Sequence, residues 1–390
     1  VHEKGTGFGQ AQIITEPVPS PVEDETQDIP SGKLDLPDAG KIFNPMTIKR
    51  GVVVFVIITI LTMTGIFLYT NTGTSVSALE DLHPIYLLVI LPLLALDLWL
   101  GGLRIHIFVR KLSDSARTWL SFKANLANIF MGAITPSQTG GGPAQLFILQ
   151  QGGISVARGM SIGVINFLST IVFFVLAAGI ALVFLGSSFS SGAVNGLILA
   201  GFAVFSFQLL VVLTALLKPV VFEKLFNLLT KLFSRIPSIG RRVDHLRNWF
   251  SSFVNSYRES CRIFFSHELA VVFQSFALTV LLYLNKFTIA YFLMRSIGGQ
   301  GAYVDVVAIH MLVFFVSYFA PSPGASGVAE LTTAALMSAV ISRNLLPVFA
   351  LLQRFFLLYI PVILGVFTVL SALKRTERRA AEDAPGKGGS

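Results

Sequence analysis

The sequence predicts an all-α, polytopic helical membrane protein with about six full spans and two broken, re-entrant helical hairpins arranged as an inverted repeat. Three observations carry that prediction. Of 390 residues, 53% are hydrophobic and only 13% are charged, against roughly 25% charged residues in ordinary soluble domains. Several apolar stretches reach the roughly 20 residues that a helix needs to cross a bilayer. A Pro/Gly/Ser motif interrupts an apolar stretch in each half of the chain. Thr135-Pro-Ser-Gln-Thr-Gly-Gly-Gly-Pro-Ala-Gln-Leu146 aligns without gaps on Ala320-Pro-Ser-Pro-Gly-Ala-Ser-Gly-Val-Ala-Glu-Leu331. Pro136/Pro321, Ser137/Ser322, Gly142/Gly327, Ala144/Ala329 and Leu146/Leu331 match, and Gln145 stands opposite Glu330. Paired breaks in corresponding positions of two halves point to a site between structural repeats.

Residues 1–45 read as a disordered acidic, Pro-rich tail, since the first 40 residues hold eight acidic residues and five prolines. Such a composition buries too little apolar surface to fold. The first membrane half is 46–217, with spans near 51–69, 84–108, 160–185 and 194–217 and a broken hairpin at 118–152. The stretch from Trp119 to Ile134 is 16 residues, about 24 Å of helix. That falls short of a hydrocarbon core about 30 Å thick.

Residues 218–267 form a basic amphipathic segment with nine Lys/Arg and three Asp/Glu. Val243, Leu246, Phe250, Phe253, Tyr257, Cys261 and Phe264 recur every three or four residues, the spacing of an amphipathic helix. With Arg241, Arg242, Arg247, Arg258 and Arg262 close by, it suits either an anionic membrane surface or packing against the cytoplasmic ends of the spans. The second half, 268–375, holds spans near 268–293 and 345–372 and a broken hairpin at 304–342. Residues 376–390 read as a flexible C-terminal tail.

Lys and Arg cluster at 41–50, 104–123, 218–262 and 374–379, while 71–83 and 186–193 have none. Basic loops mark the cytoplasmic side. Both termini are therefore expected in the cytoplasm, with the first hairpin entering from the cytoplasm and the second from outside. The net charge of +8 follows from these loops and implies no nucleic-acid partner. Cys261 is alone, so no intrachain disulfide or Cys-based metal site is expected. No cleavable signal peptide is legible at the start of the chain. No metal site, cofactor or catalytic motif is expected; nothing resembles a phosphate loop, a nucleophile elbow or His-Glu-x-x-His.

Broken backbone inside a membrane must line a wet or protein-walled cavity. After each break a new half-helix is expected, from Pro143 and from about Val328. Helix N-termini attract anions. The candidate substrate-binding residues are therefore Thr135, Pro136, Ser137, Gly141, Gly142 and Gln145 in the first motif. In the second they are Pro321, Ser322, Gly324, Ser326, Gly327 and Glu330. Lys286 and Arg354, ionisable groups in apolar stretches, complete the set as phosphate neutralisers. Glu330 is expected to pair with one of them. Asp97 can pair with Arg104 two turns along. His310 reads as a satisfied interior histidine.

With these motifs in hand, the chain resembles the lysylphosphatidylglycerol synthase/flippase transmembrane-domain family over roughly residues 46–375. The resemblance rests on 135–145 with the trailing Leu149…Gly152-Gly153-Ile-Ser155, and on Ala320-Pro-Ser-Pro-Gly-Ala-Ser-Gly-Val-Ala-Glu330. It implies a prokaryotic cytoplasmic (inner) membrane protein that moves a phospholipid or other polar lipid between leaflets. The family often carries Glu or Gln where this chain has Gly142, and many members carry Arg where it has Gln145. The soluble aminoacyl-transferase domain of full lysylphosphatidylglycerol synthases has no counterpart here, so the resemblance implies transport without an enzyme activity. Two other readings remain: a small-anion or solute transporter, and a membrane-embedded transferase acting on lipid-linked substrates. A homo-oligomer is compatible with the sequence.

Overall fold

The computed structural model describes residues 45–69, 82–112, 117–185, 192–221, 223–224, 226, 228, 240–318 and 320–382. The N-terminal tail, most of the loops at 71–83 and 186–193, and the end of the C-terminal tail lie outside the described residues. So do the side chains of Arg241, Arg242, Val243, Leu246 and Arg247.

Most of the described residues are helical, and no strand occurs among them. In chain order the helices are α1 (Pro45–Tyr69), α2 (Pro84–Leu112), α3 (Thr118–Ile134), α4 (Gly141–Gln151), α5 (Val156–Leu185) and α6 (Gly192–Leu217). They continue with α7 (Gly240–Arg262), α8 (Leu269–Ser296), α9 (Tyr303–Tyr318), α10 (Val328–Met337), α11 (Leu346–Arg354) and α12 (Ile360–Glu382). A π-helical turn, Phe355–Tyr359, joins α11 to α12.

Among the described residues, five helical stretches are long and apolar enough to cross a membrane: 48–65, 84–112, 156–183, 269–296 and 343–376. These correspond to five of the six expected spans. The sixth is α6, whose apolar run at 201–217 is shorter. The chain is an all-α polytopic membrane protein. Its outer faces carry the residues that lipid solvates well, such as Val53, Ile57 and Leu61 on α1, Leu88 and Leu91 on α2, and Phe273 and Leu281 on α8, all exposed.

The two broken segments are α3–α4 and α9–α10. Their four helices have 17, 11, 16 and 10 residues, all short of the roughly 20 needed to cross. α2 and α8 pack on each other, and each directly precedes a broken segment. The hairpins then cross over: α3 packs on α12, while α9 packs on α5. The two breaks pack against one another at the centre.

The amphipathic periodicity at 243–264 is realised as α7 and a following π-helical turn, Ile263–His267. Tyr257 and Cys261 on α7 are buried against Ala157 and Val164 of α5. Arg258 and Arg262 stay exposed. Protein therefore covers at least part of the apolar face.

Candidate functional site

Each break begins with a proline that cannot donate a hydrogen bond, followed by two left-handed residues. In the first they are Ser137 (φ 49°) and Gln138 (φ 57°); in the second, Gly324 (φ 58°) and Ala325 (φ 55°). The backbone hydrogen bonds repeat as well. Gln138 N–H donates to Thr135 O and Thr139 N–H to Pro136 O; Ala325 N–H donates to Ser322 O and Ser326 N–H to Pro323 O. Ala144 N–H donates to Gly140 O, as Leu331 N–H does to Gly327 O. The two breaks are thus the same turn, but in a register shifted by two residues from the gapless sequence alignment. Pro136 corresponds to Pro323, not Pro321, and Gly140 to Gly327. Identical residues dominate the alignment, whereas the turn follows the Pro–left–left backbone. The first half-helix accordingly starts at Gly141, with Pro143 inside its first turn.

In this register the N–H of the residue before each half-helix is satisfied differently. Gly140 N–H donates to Thr135 Oγ1 at 2.8 Å. Gly327 N–H donates to Glu330 Oε2 at 2.7 Å. Thr135 reaches forward from before the turn, and Glu330 reaches back from inside the helix. Ser322, the counterpart of Thr135, has a buried Oγ with no partner among the described residues. Gly327 sits at φ 88° and ψ −59°, a conformation that glycine adopts without a Cβ clash.

Glu330 is 1% exposed. Its other oxygen, Oε1, lies 2.9 Å from Arg354 Nε, in ion-pair range although the N–H is not aimed at it. Arg354 donates through Nη1 to Gly324 O at 2.9 Å and through Nη2 to Ala325 O at 3.1 Å. One guanidinium thus binds both carbonyls of the left-handed pair, which no helix can satisfy. The expected pairing of Glu330 with a basic residue is present, and the residue is Arg354.

Lys286 pairs elsewhere: its Nζ lies 2.7 Å from Asp97 Oδ2. The expected Asp97–Arg104 contact is not made. Asp97 faces α8, and Arg104 turns to α5, where Nη2 donates to Asn166 O and Thr170 Oγ1, each at 3.0 Å. His310 is fully buried, with Nδ1 2.7 Å from Val306 O. Its Nε2 is left without a partner among the described residues.

A cavity of about 220 Å³ lies between α3, α8, α9, the second break, α10 and α11. Of the residues expected at the site, Lys286, Gly324, Glu330 and Arg354 line it. The others do not. Thr135 is tied to Met131 O and Gly140. Pro136, Ser137, Gly142 and Pro321 are exposed and are not part of its lining. Gly141 is pressed against Asn128. Gln145 accepts a hydrogen bond from Asn128 Nδ2 at 3.0 Å, joining α4 to α3. Ser326 Oγ lies 3.2 Å from Thr59 Oγ1 of α1. Ser322 and Gly327 build the turn behind the wall. The first break reaches the cavity through Gln138, which the motif comparison did not single out.

The remaining polar lining is Asn128, Tyr283, Ser317, Tyr318, Thr333 and Gln353. Single polar residues in apolar helices carry no periodic signal, so sequence reasoning did not reach the two tyrosines. The site offers paired cations, hydroxyls and amides in an apolar frame. That set can offer hydrogen bonds and charge to a polar or charged group.

A relative in Archaeoglobus fulgidus, described as a UPF0104 membrane protein, is 23% identical over 318 residues, covering 80% of this chain and 94% of that protein. The family model described as the lysylphosphatidylglycerol synthase TM region matches residues 51–365, and so takes in both breaks and every charged residue of the cavity wall. The chain belongs to the family of the lysylphosphatidylglycerol synthase transmembrane region.

Proposed function

We propose that this protein moves a polar or anionic lipid between leaflets, holding the head group in the central cavity while the acyl chains stay in the bilayer. The observation that carries the reading is the cavity of about 220 Å³, walled by Lys286, Glu330 and Arg354 and by helices too short to cross alone. Charged groups at membrane depth are costly and persist where they serve a pathway. Such a volume suits a head group and excludes two acyl chains.

The exchange of packing partners, α3 on α12 and α9 on α5, supports two repeats related by an axis in the membrane plane. In this reading the hairpins re-enter from opposite sides, both termini are cytoplasmic, and the membrane is the cytoplasmic membrane of a prokaryote. The exposed basic face of α7 lies against anionic lipid. The protein catalyses no bond chemistry.

A small-anion transporter would use the same donors, and the modest volume favours it as the second reading. Reconstitution separates them. Vesicles bearing the purified protein are expected to exchange head-group-labelled phosphatidylglycerol between leaflets without accumulating inorganic phosphate. Phosphate uptake without lipid exchange would replace the lipid reading with the small-anion one.

A further inference from the structure

The charges in the spans do not balance. Asp97 cancels Lys286 and Glu330 cancels Arg354. Arg104 is left over: no carboxylate lies within ion-pair distance of it among the described residues, and its buried Nε makes no hydrogen bond there. Carbonyl and hydroxyl contacts through Nη2 satisfy donors but leave the charge uncompensated. Guanidinium stays protonated under all ordinary conditions, and an unpaired charge at membrane depth is unfavourable.

Arg104 is tied to Thr170 of α5, one turn before Phe173 and Phe174, the rings on which Tyr283 and Tyr318 pack. Both tyrosines line the cavity, and neither hydroxyl has a hydrogen-bond partner among the described residues. Their rings are fixed by aromatic packing. Tyr283 stacks on Phe173 at 4.9 Å, and Tyr318 meets Phe174 at 5.0 Å. Lys286 lies one turn from Tyr283 on the same face of α8. Its ammonium has three donors, and Asp97 takes one of them.

We propose that this wall is an anion subsite: Tyr283, Tyr318 and Lys286 donate to the phosphate of a lipid head group, and Arg104 behind them supplies the counter-charge. The proposal rests on the reading of the cavity as a head-group site. It places the phosphate on the α8/α9 wall, and leaves Arg354 to hold the second break.

The test is calorimetric titration of the full chain in detergent with dioctanoyl-phosphatidylglycerol, with dioctanoylglycerol as the phosphate-free control. The wild type is expected to bind the phospholipid more tightly than the control. Tyr283→Phe/Tyr318→Phe removes only the hydroxyls, and should weaken phospholipid binding about tenfold or more, as expected for hydrogen bonds to a charged group. Binding of the control should not change. Arg104→Gln should weaken phospholipid binding as well; if that variant does not fold, the tyrosine variant decides. Displacement of the lipid by inorganic phosphate, abolished in the tyrosine variant, would support the subsite and identify a free anion as its occupant. Full phospholipid affinity in the double tyrosine variant would overturn the proposal, even where the wild type exchanges lipid between leaflets. Tyrosine-dependent binding in a protein that exchanges no lipid would uphold the subsite and overturn the transport reading alone.

Discussion

The Glu330 carboxylate holds Arg354 and the start of α10 at the same time: Oε1 lies 2.9 Å from Arg354 Nε, and Oε2 accepts the Gly327 N–H at 2.7 Å. Arg354 in turn binds the carbonyls of Gly324 and Ala325. The ion pair therefore fastens the second break from both ends. Removing one partner of a buried pair leaves an uncompensated charge, which costs about 3–5 kcal/mol. Arg354→Gln should lower the thermal midpoint in detergent more than Glu330→Gln, which keeps an acceptor for Gly327. The double variant should recover part of the loss. Unchanged midpoints in both single variants would show that the pair does not hold the break.

Lys286 and Asp97 form the second pair, with Asp97 only 3% exposed. Lys286→Gln alone strands Asp97 and should destabilise the protein. Lys286→Gln/Asp97→Asn should restore folding and still transport poorly, because Lys286 lines the cavity and Asp97 does not. Wild-type lipid exchange in the folded double variant would reduce the pair to a packing element.

Gly324 combines a left-handed backbone with close neighbours. A Cβ there would stand 2.7 Å from the Phe55 ring and 3.2 Å from Ala133 O. Gly324→Ala should destabilise by about 1–3 kcal/mol, from left-handed strain and overpacking. Phe55→Leu in the same chain should return part of it, measured by thermal unfolding. No effect of Gly324→Ala would contradict the tight contact of α1 with the second break.

Cys261 is buried on α7 against α5. Burial pushes its thiol up to about 11, partly offset by its hydrogen bond with Tyr257. The neutral thiol is favoured in the folded state. This stabilisation is complete below the ordinary thiol value and fades as pH rises toward about 11. Maleimide should therefore label the native protein very slowly at pH 7.5 and rapidly after denaturation. Fast native labelling would place α7 away from α5.

Much of this was legible in the sequence, for identifiable reasons. Proline and glycine interrupt backbone wherever they fall, so both breaks and the short half-helices were readable. An acid three residues into a half-helix is costly in a membrane unless paired, so the partner of Glu330 narrowed to Lys286 or Arg354. The register of the two turns was not legible. Sequence identity pairs Pro136 with Pro321, whereas dihedral angles and hydrogen bonds pair it with Pro323. The partner of Asp97 was also out of reach. Spacing along α2 favoured Arg104, but only the packing of α2 on α8 shows Lys286 to be nearer. Tyr283 and Tyr318 looked like two aromatics among many, because a cavity wall drawn from several helices leaves no periodic trace in any one of them.

The step on which the proposed function turns is passage of lipid head groups through the cavity between the breaks. It is tested most directly by leaflet exchange of head-group-labelled phosphatidylglycerol in vesicles holding one of three proteins: the wild type, Ser317→Trp, which fills the cavity from α9, or Leu88→Trp, on the exposed outer face of α2. Exchange is expected from the wild type and Leu88→Trp, with strong loss in a folded Ser317→Trp. Equal exchange by all three, or none above protein-free vesicles with folded wild type, would contradict it.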